Sequence, residues 1–399
     1  MKPRSFERLA PLLSLLLLPA LASGQNEAPS DLQETRQRLQ NLEERLGKLE
    51  GAPAKASLSA FNPAMGLALD LAGMDKNDKA GFQFRAAELG IEAPIDPFLK
   101  GWAIFTGSNG NPSIDVEEAA LETTCLPNWT IRGGRLFASF GRLAHFHDHE
   151  LPLTERPKSL DEFVGGETRA DGVEASYLFP TDTYISAVFG MYDKMGASNN
   201  RVDPAGSRPL DEFTYLGRLS AYKDVGDDHS VELGVDSAWT PKRTVNADAA
   251  GTIQTRANTW RTLNGLDFTY RYQPAQGGLY RGAVWGTEIM QNDERRVDDA
   301  TLLPTDRVRA YSGFSYVWIK LGPHWRPGIL ADLTEDLDHA RALTKTFSAF
   351  LSYDATEFQR LRLVFSEALV NTPGAPRDHT VALQWTGILG RHVHGFRDR

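Results

Sequence analysis

The chain of 399 residues contains a single cysteine, Cys125. No disulfide can therefore form within the chain, and no CxxC metal-binding motif is present. The sequence also lacks the GxSxG, Walker and HExxH motifs of hydrolases, nucleotide-binding proteins and metalloproteases. A catalytic triad assembled from distant positions would leave no such motif, but no local pattern points to one. The sequence predicts that the protein is not an enzyme and requires no cofactor.

Long apolar runs are missing as well, and the mean hydropathy is −0.36. A bundle of membrane-spanning helices is therefore excluded. The net charge of −9 argues against a nucleic-acid partner. The acidic balance is compatible with a membrane protein, because a β-barrel keeps its charged side chains in the lumen and the loops.

The amino terminus has the pattern of an export signal. Basic residues precede a short apolar run over residues 9–18, and Ala20-Leu21-Ala22 matches the A-x-A pattern of a cleavage site. The run is too short to span a bilayer. The sequence predicts a signal peptide over residues 1–24 and an exported protein.

A heptad pattern follows the predicted signal peptide. Across residues 31–50, leucines occupy the a and d positions, with one polar exception: Leu32, Leu39, Leu42, Leu46 and Leu49. The pattern predicts a periplasmic coiled-coil helix and linker over residues 25–55. Two readings stay open at this point, namely self-association through the leucines and a single solvated helix that acts as a spacer.

From Phe61 onward the hydrophobic period changes to two. Apolar residues alternate with small or polar ones near residues 64–71, 231–236, 266–273, 346–353, 360–365 and 380–389. Each segment spans about ten residues, the length that a tilted strand needs to cross the hydrocarbon layer. The sequence therefore predicts an all-β transmembrane barrel over residues 56–399.

The connections between these segments differ in length. Tight links fall at residues 94–97, 127–129, 180–182, 226–229, 274–278, 322–324 and 354–357. Longer polar links fall near residues 72–80, 108–112, 142–170, 193–212, 240–261, 293–307, 334–343 and 368–377. This alternation predicts about sixteen antiparallel strands with both ends at the periplasmic rim. Short turns on one rim and longer loops on the other are typical of a barrel in the bacterial outer membrane.

Charged residues in the polar phase of the strands are candidates for lining the pore. They carry both signs and are Arg85, Glu88, Glu118, Glu122, Arg271, Glu288, Arg360 and Arg362. Mixed signs suit a water-filled pore with a transverse field and do not indicate a strict anion or cation filter. The alternative is that these side chains only fill the barrel and pair with one another.

The longest link, 142–170, is rich in metal-ligating side chains. It follows the fifth predicted strand and holds five of them within six positions: His145, His147, Asp148, His149 and Glu150. Imidazole and carboxylate groups at this density can bind Zn²⁺ or another divalent ion. We expect an exposed, mobile extracellular loop that binds such an ion weakly, unless these residues are merely solvated. His392 and His394 form a second, weaker candidate pair.

Several segments resemble a known family of outer-membrane proteins. They are Phe61-Asn62-Pro63-Ala64, FGRLAHFHDHELPLTERP (140–157), ADGVEASYLFPTD (170–182), EFQRLRL (357–363) and ALQWTGILGRHVHGF (382–396). Together they resemble porin-like proteins labelled zinc-regulated outer-membrane receptors, and more distantly the phosphate-selective porins of the O and P type. The resemblance implies a signal peptide, a short coiled coil and a barrel without the plug domain of TonB-dependent transporters. This chain departs from the family at its end, because Phe396 is followed by three further residues.

Two functions are compatible with these observations. The first is a passive diffusion channel for small polar solutes or ions, possibly linked to a divalent metal. The second is a non-conducting barrel that acts as a tether or scaffold through its coiled coil. In both cases the expected partners are outer-membrane lipid, further copies of the chain (a trimer being one form) and the barrel-assembly machinery.

Overall fold

The computed structural model describes residues 63–108, 111–196, 209–242, 244–246, 253–255, 259–295, 305–337, 342–371 and 377–390. The predicted signal peptide, the predicted coiled coil and the pair His392 and His394 lie outside these residues. Within the described part, no helix has both the length and the apolar character that crossing a membrane requires.

Sixteen antiparallel strands close into one barrel. The barrel strands are β1 (Ala64–Lys76), β2 (Lys79–Pro94), β3 (Leu99–Ser108), β4 (Asn111–Thr123), β5 (Trp129–Phe137), β6 (Arg169–Phe179), β7 (Tyr184–Tyr192), β8 (Thr214–Val225), β9 (His229–Thr240), β12 (Trp260–Tyr272), β13 (Arg281–Arg295), β14 (Val308–Leu321), β15 (Trp325–Glu335), β16 (Leu343–Thr356), β17 (Gln359–Val370) and β18 (Asp378–Gly390). A separate two-stranded sheet joins β10 (Thr244–Asn246) to β11 (Ile253–Thr255). The predicted sixteen-stranded barrel is thus confirmed.

The alternation of side chains explains why these segments form a barrel. In β14, Phe314 and Tyr316 are buried inside, whereas Tyr311, Val317 and Ile319 are exposed on the outside. Exposed aromatic residues gather near the rim with the short turns: Phe98, Trp129, Phe179, Tyr184, Tyr280, Trp285, Trp325 and Phe358. An apolar exterior with an aromatic girdle is stable where lipid covers it.

The connection between β1 and β2 is shorter than predicted. The predicted long link at 72–80 is wrong, because the two strands continue to Lys76 and Lys79, which pair with each other. Asn77 and Asp78 alone form the turn, with φ of 53° and 61°. Two consecutive residues with positive φ are typical of a type I′ hairpin turn, and asparagine and aspartate tolerate that conformation.

The lumen contains the long connection between β5 and β6. This inserted loop, residues 138–168, includes helix α1 (Lys158–Val164) and a short 3₁₀ turn (Asp148–Glu150). Its apolar side chains are fully buried against inward-facing aromatic residues of the wall, including Phe140, Leu143, Leu151, Leu160 and Phe163 on the loop and Phe314, Tyr316, Trp318 and Phe350 on the wall. The expectation of an exposed loop is wrong, because these side chains bury apolar surface inside the barrel.

Candidate functional site: the inserted loop and the lumen wall

Near Leu151, the inserted loop is bound to the seam where the barrel closes. The Arg362 guanidinium donates to the carbonyl oxygen of Leu151 at 2.7 Å, and its Nη1 donates to Gln384 at 3.2 Å. Arg85 donates to the carbonyl oxygen of Thr154 at 2.5 Å and pairs with Asp70 at 2.9 Å. The guanidinium groups of β2 and β17, supported by Asp70 of β1 and Gln384 of β18, therefore hold the loop by satisfying its carbonyl oxygens.

Two other segments of the loop are bound to strands β9, β13 and β15 of the wall. The Arg142 backbone N–H donates to Glu288 at 3.0 Å, and the Arg142 guanidinium pairs with Glu232 at 2.9 Å. At the start of α1, both the backbone N–H and the hydroxyl of Ser159 donate to Asp332, at 3.0 and 2.5 Å. Contacts with both sets of strands fix the loop across the lumen.

A cluster of metal-ligating groups lies between the loop and the wall. Ligand atoms of Glu88, Glu117 and His147 all lie within 4.8 Å of one another. His147 Nδ1 is 3.3 Å from Glu117 Oε1 and 3.5 Å from Glu88 Oε2. His149 Nδ1 is 2.9 Å from the same Glu88 oxygen, and the two imidazole rings stack at 5.7 Å. The cluster joins β2 and β4 of the wall to the loop.

Acidic neighbours dominate the electrostatics of this cluster. Burial of the His147 ring disfavours its charged form, but the contact with Glu117 and the negative charges of Glu117 and Glu88 outweigh that effect. The pKa of His147 rises from 6.5 to about 10 as a result. The cluster therefore attracts positive charge, which a proton or a metal ion can supply.

The five metal-ligand candidates of the loop separate into two groups. His147 and His149 join the cluster. His145 lies outside it, with its ring against Phe146. Asp148 pairs with Arg156 at 3.0 Å, and Glu150 accepts the backbone N–H of His147 at 3.0 Å. These two carboxylates therefore shape the loop.

The eight pore-lining candidates have their polar groups on the inside of the barrel. Arg85, Arg362 and Glu288 contact the inserted loop, and Glu88 belongs to the cluster. The other four contact residues of the wall strands: Glu118 accepts from Trp102 and Phe137, Glu122 pairs with Lys100, Arg271 with Glu232, and Arg360 with Asp354. Whether they line an open pore stays a prediction.

The alternation of inward and outward side chains along the strands does not predict that Glu117 faces the lumen. A β-bulge shifts the register of β4, so that Ile104 pairs with Glu118 while Phe105 pairs with Val116. The extra residue is Glu117, which is buried like Glu118 beside it. A bulge places two consecutive side chains on one face, and no feature of the local sequence marks it.

Comparisons with known proteins fit this geometry. No protein-family profile matches the sequence. A protein of Aquifex aeolicus described as uncharacterized is 26% identical over 411 aligned positions, which cover 89% of this chain and 84% of that protein. The structure of Pseudomonas putida OprB has a TM-score of 0.57 at 10% identity, over 86% of this chain and 97% of that chain. An anion-selective porin from Comamonas acidovorans has a TM-score of 0.55 at 12% identity, over 82% and 99%.

The fold is that of a porin. At 10% and 12% identity, these two solved structures are similar to this chain in fold. The porin fold, together with the exposed apolar belt, places the protein in the bacterial outer membrane.

Proposed function

We propose that the protein is a porin-like channel for passive diffusion of small polar solutes or ions, narrowed by its inserted loop. The observation that carries this proposal is a closed barrel with charged inward side chains and a loop fixed across its lumen. Charged side chains are tolerated inside a membrane barrel because water solvates them there.

A cavity at the short-turn rim supports the same conclusion. It has a volume of about 590 Å³ and is lined by Asp224, Asp228, His229 and Arg271, among others. Polar groups of both signs at the mouth are suited to admitting hydrated solutes. The proposal includes assembly as a homo-oligomer, with a trimer as the form to test first. We also propose that the chain is related to the zinc-regulated receptor group that its sequence resembles, and that the histidine-rich segment of the inserted loop binds a metal ion through His147.

The test is reconstitution of the folded protein in planar lipid bilayers. We expect stepwise conductance. Replacing residues 142–165 by a short Gly-Ser linker should enlarge each step, because the side chains fixed across the lumen are then removed. Shortening the connection between β9 and β12 by residues 244–255 is the matched control, since it changes a loop at the same rim. A folded wild-type barrel that never conducts would contradict the proposal.

A further inference from the structure

We infer that Glu88, Glu117 and His147 form a binding site for a divalent first-row transition-metal ion such as Zn²⁺, which ties the inserted loop to the barrel wall. The inference deepens the proposed function and rests on it for its consequence, because an ion at this point would fix the loop that narrows the channel.

Two of the three separations between the ligand atoms match those of a metal site, and the third is at most 4.8 Å. Zinc binds imidazole nitrogen and carboxylate oxygen at about 2.0–2.2 Å, so two ligands of a tetrahedral ion lie roughly 3.3–3.5 Å apart. The Nδ1 atom of His147 lies 3.3 Å from Glu117 Oε1 and 3.5 Å from Glu88 Oε2. An ion can therefore contact both pairs without a rearrangement of the backbone.

The competing explanation is a protonated His147 that pairs with both carboxylates. Charge-assisted hydrogen bonds of that kind are typically about 2.7–2.9 Å long. Both distances from His147 exceed that range. The 2.9 Å distance between His149 Nδ1 and Glu88 Oε2 falls within it, so that contact has the length of a charge-assisted pair. His149 would then orient Glu88 as an outer partner of the ion.

The chemistry of the ligands selects the class of ion. One imidazole and two carboxylates suit Zn²⁺, Ni²⁺ or Cu²⁺, whereas Mg²⁺ and Ca²⁺ prefer oxygen ligands alone. The three residues are 1%, 3% and 6% exposed for His147, Glu88 and Glu117 respectively. Two buried carboxylates this close together are stabilised by positive charge beside them. A divalent ion supplies that charge.

The position of the ligands gives the ion a mechanical role. Glu88 lies on β2 and Glu117 on β4, so two ligands belong to the rigid wall. His147 belongs to the inserted loop. An ion bound by all three favours the docked position of the loop over any undocked position, because only the docked loop completes the site.

Metal binding is tested on the folded full-length barrel in detergent after treatment with a chelator. We expect calorimetric titration with Zn²⁺ to give one ion per barrel, and Mg²⁺ to give no such binding. Co²⁺ in the same site should show the intense visible absorption of a four-coordinate ion. Glu117→Gln and His147→Gln should each weaken Zn²⁺ binding by at least roughly tenfold, since even the loss of an outer partner commonly costs 10–100-fold.

Two control variants separate the site from general effects. Glu122→Gln removes another inward carboxylate of β4, and His145→Gln removes another imidazole of the same loop. Both should bind Zn²⁺ like the wild type. Failure of the stripped wild type to bind Zn²⁺, or equal losses in the controls, would overturn the inference, and neither result depends on whether the site variants fold.

Conductance separates this inference from the proposed function. We expect Zn²⁺ to lower the conductance of the wild type, and Glu117→Gln to remove that response. A conducting barrel without a bound metal would overturn the inference alone. A barrel that binds one Zn²⁺ but never conducts would support the site and overturn the channel.

Discussion

At the scale of single residues, Gly141 shows how closely the inserted loop approaches the wall. Its φ is +62°, and a Cβ atom there would lie 2.1 Å from Glu288 Oε1. Glu288 is buried and accepts the backbone N–H of Arg142, so it cannot move aside without losing that hydrogen bond. Glycine at 141 therefore serves both the backbone conformation and the close contact.

We expect Gly141→Ala to destabilise the folded barrel more than Gly226→Ala. Gly226 has a φ of +70° with no atom near its missing Cβ, so the control carries only the conformational cost of about 1–2 kcal/mol. Gly141→Ala adds a steric clash of about 1–3 kcal/mol. Equilibrium unfolding in denaturant from lipid vesicles measures both. Equal losses for the two variants would show that the contact with Glu288 is not tight.

Residue-scale features differ in how far the sequence could predict them. Glu88 and Glu118 follow from alternation, because a regular strand places every second side chain inside. Glu117 does not, because a bulge interrupts the period. The sequence therefore does not predict Glu117 as a partner of His147, although it does predict His147 as a metal-ligand candidate. The wall carboxylates come from strands far away in the chain, and only the closed barrel brings them to the loop.

At the scale of elements, α1 depends on Asp332 for its position. Both donors of Ser159 bind this carboxylate, which is 1% exposed and also accepts from Thr334. Apolar residues of α1, Leu160 and Phe163, add buried surface beside this contact. The helix has seven residues and would be marginal without such contacts.

We expect Asp332→Ala to release the loop often enough to expose it to trypsin. Lys158 is half exposed within the lumen, but trypsin is too large to enter a barrel, so cleavage there requires an undocked loop. Losing the acceptor of two hydrogen bonds costs about 1–3 kcal/mol, which should raise the cleavage rate at least roughly fivefold. Ser348→Ala, which removes only a bond to Ser366 between wall strands, is the control. Unchanged cleavage after Lys158, read by mass spectrometry, would contradict this role.

Strands and loops were unequally predictable as elements. A strand of a membrane barrel has water on one side and lipid on the other, so polar and apolar residues alternate along its sequence. The inserted loop was predicted to be exposed because its polar residues dominate the pattern. Its apolar residues indicate burial instead, because a solvated loop gains nothing from them. They include Leu143, Phe146, Leu151 and Leu160.

At the scale of the whole molecule, the barrel wall separates an exterior that faces lipid from an interior that faces the lumen. Trp285 on β13 and Trp318 on β14 lie in adjacent register positions, because Trp285 pairs with Val317 and Trp318 with Val284. Trp285 is 44% exposed on the outside, whereas Trp318 is 6% exposed inside, with the Arg326 guanidinium 5.6 Å from its ring. Lipid should therefore reach the first ring and not the second.

Quenching of tryptophan fluorescence by brominated lipids tests this arrangement in the intact barrel. The chain has eight tryptophans, so each contributes on the order of one eighth of the emission if their yields are similar. We expect Trp285→Phe to lower the quenched fraction, because it removes an emitter in contact with lipid. Trp318→Phe should raise that fraction, because it removes an emitter that the wall shields. If both variants shift the quenched fraction in the same direction, the two rings share one environment, and a lipid-facing exterior around a separate lumen is wrong for this protein.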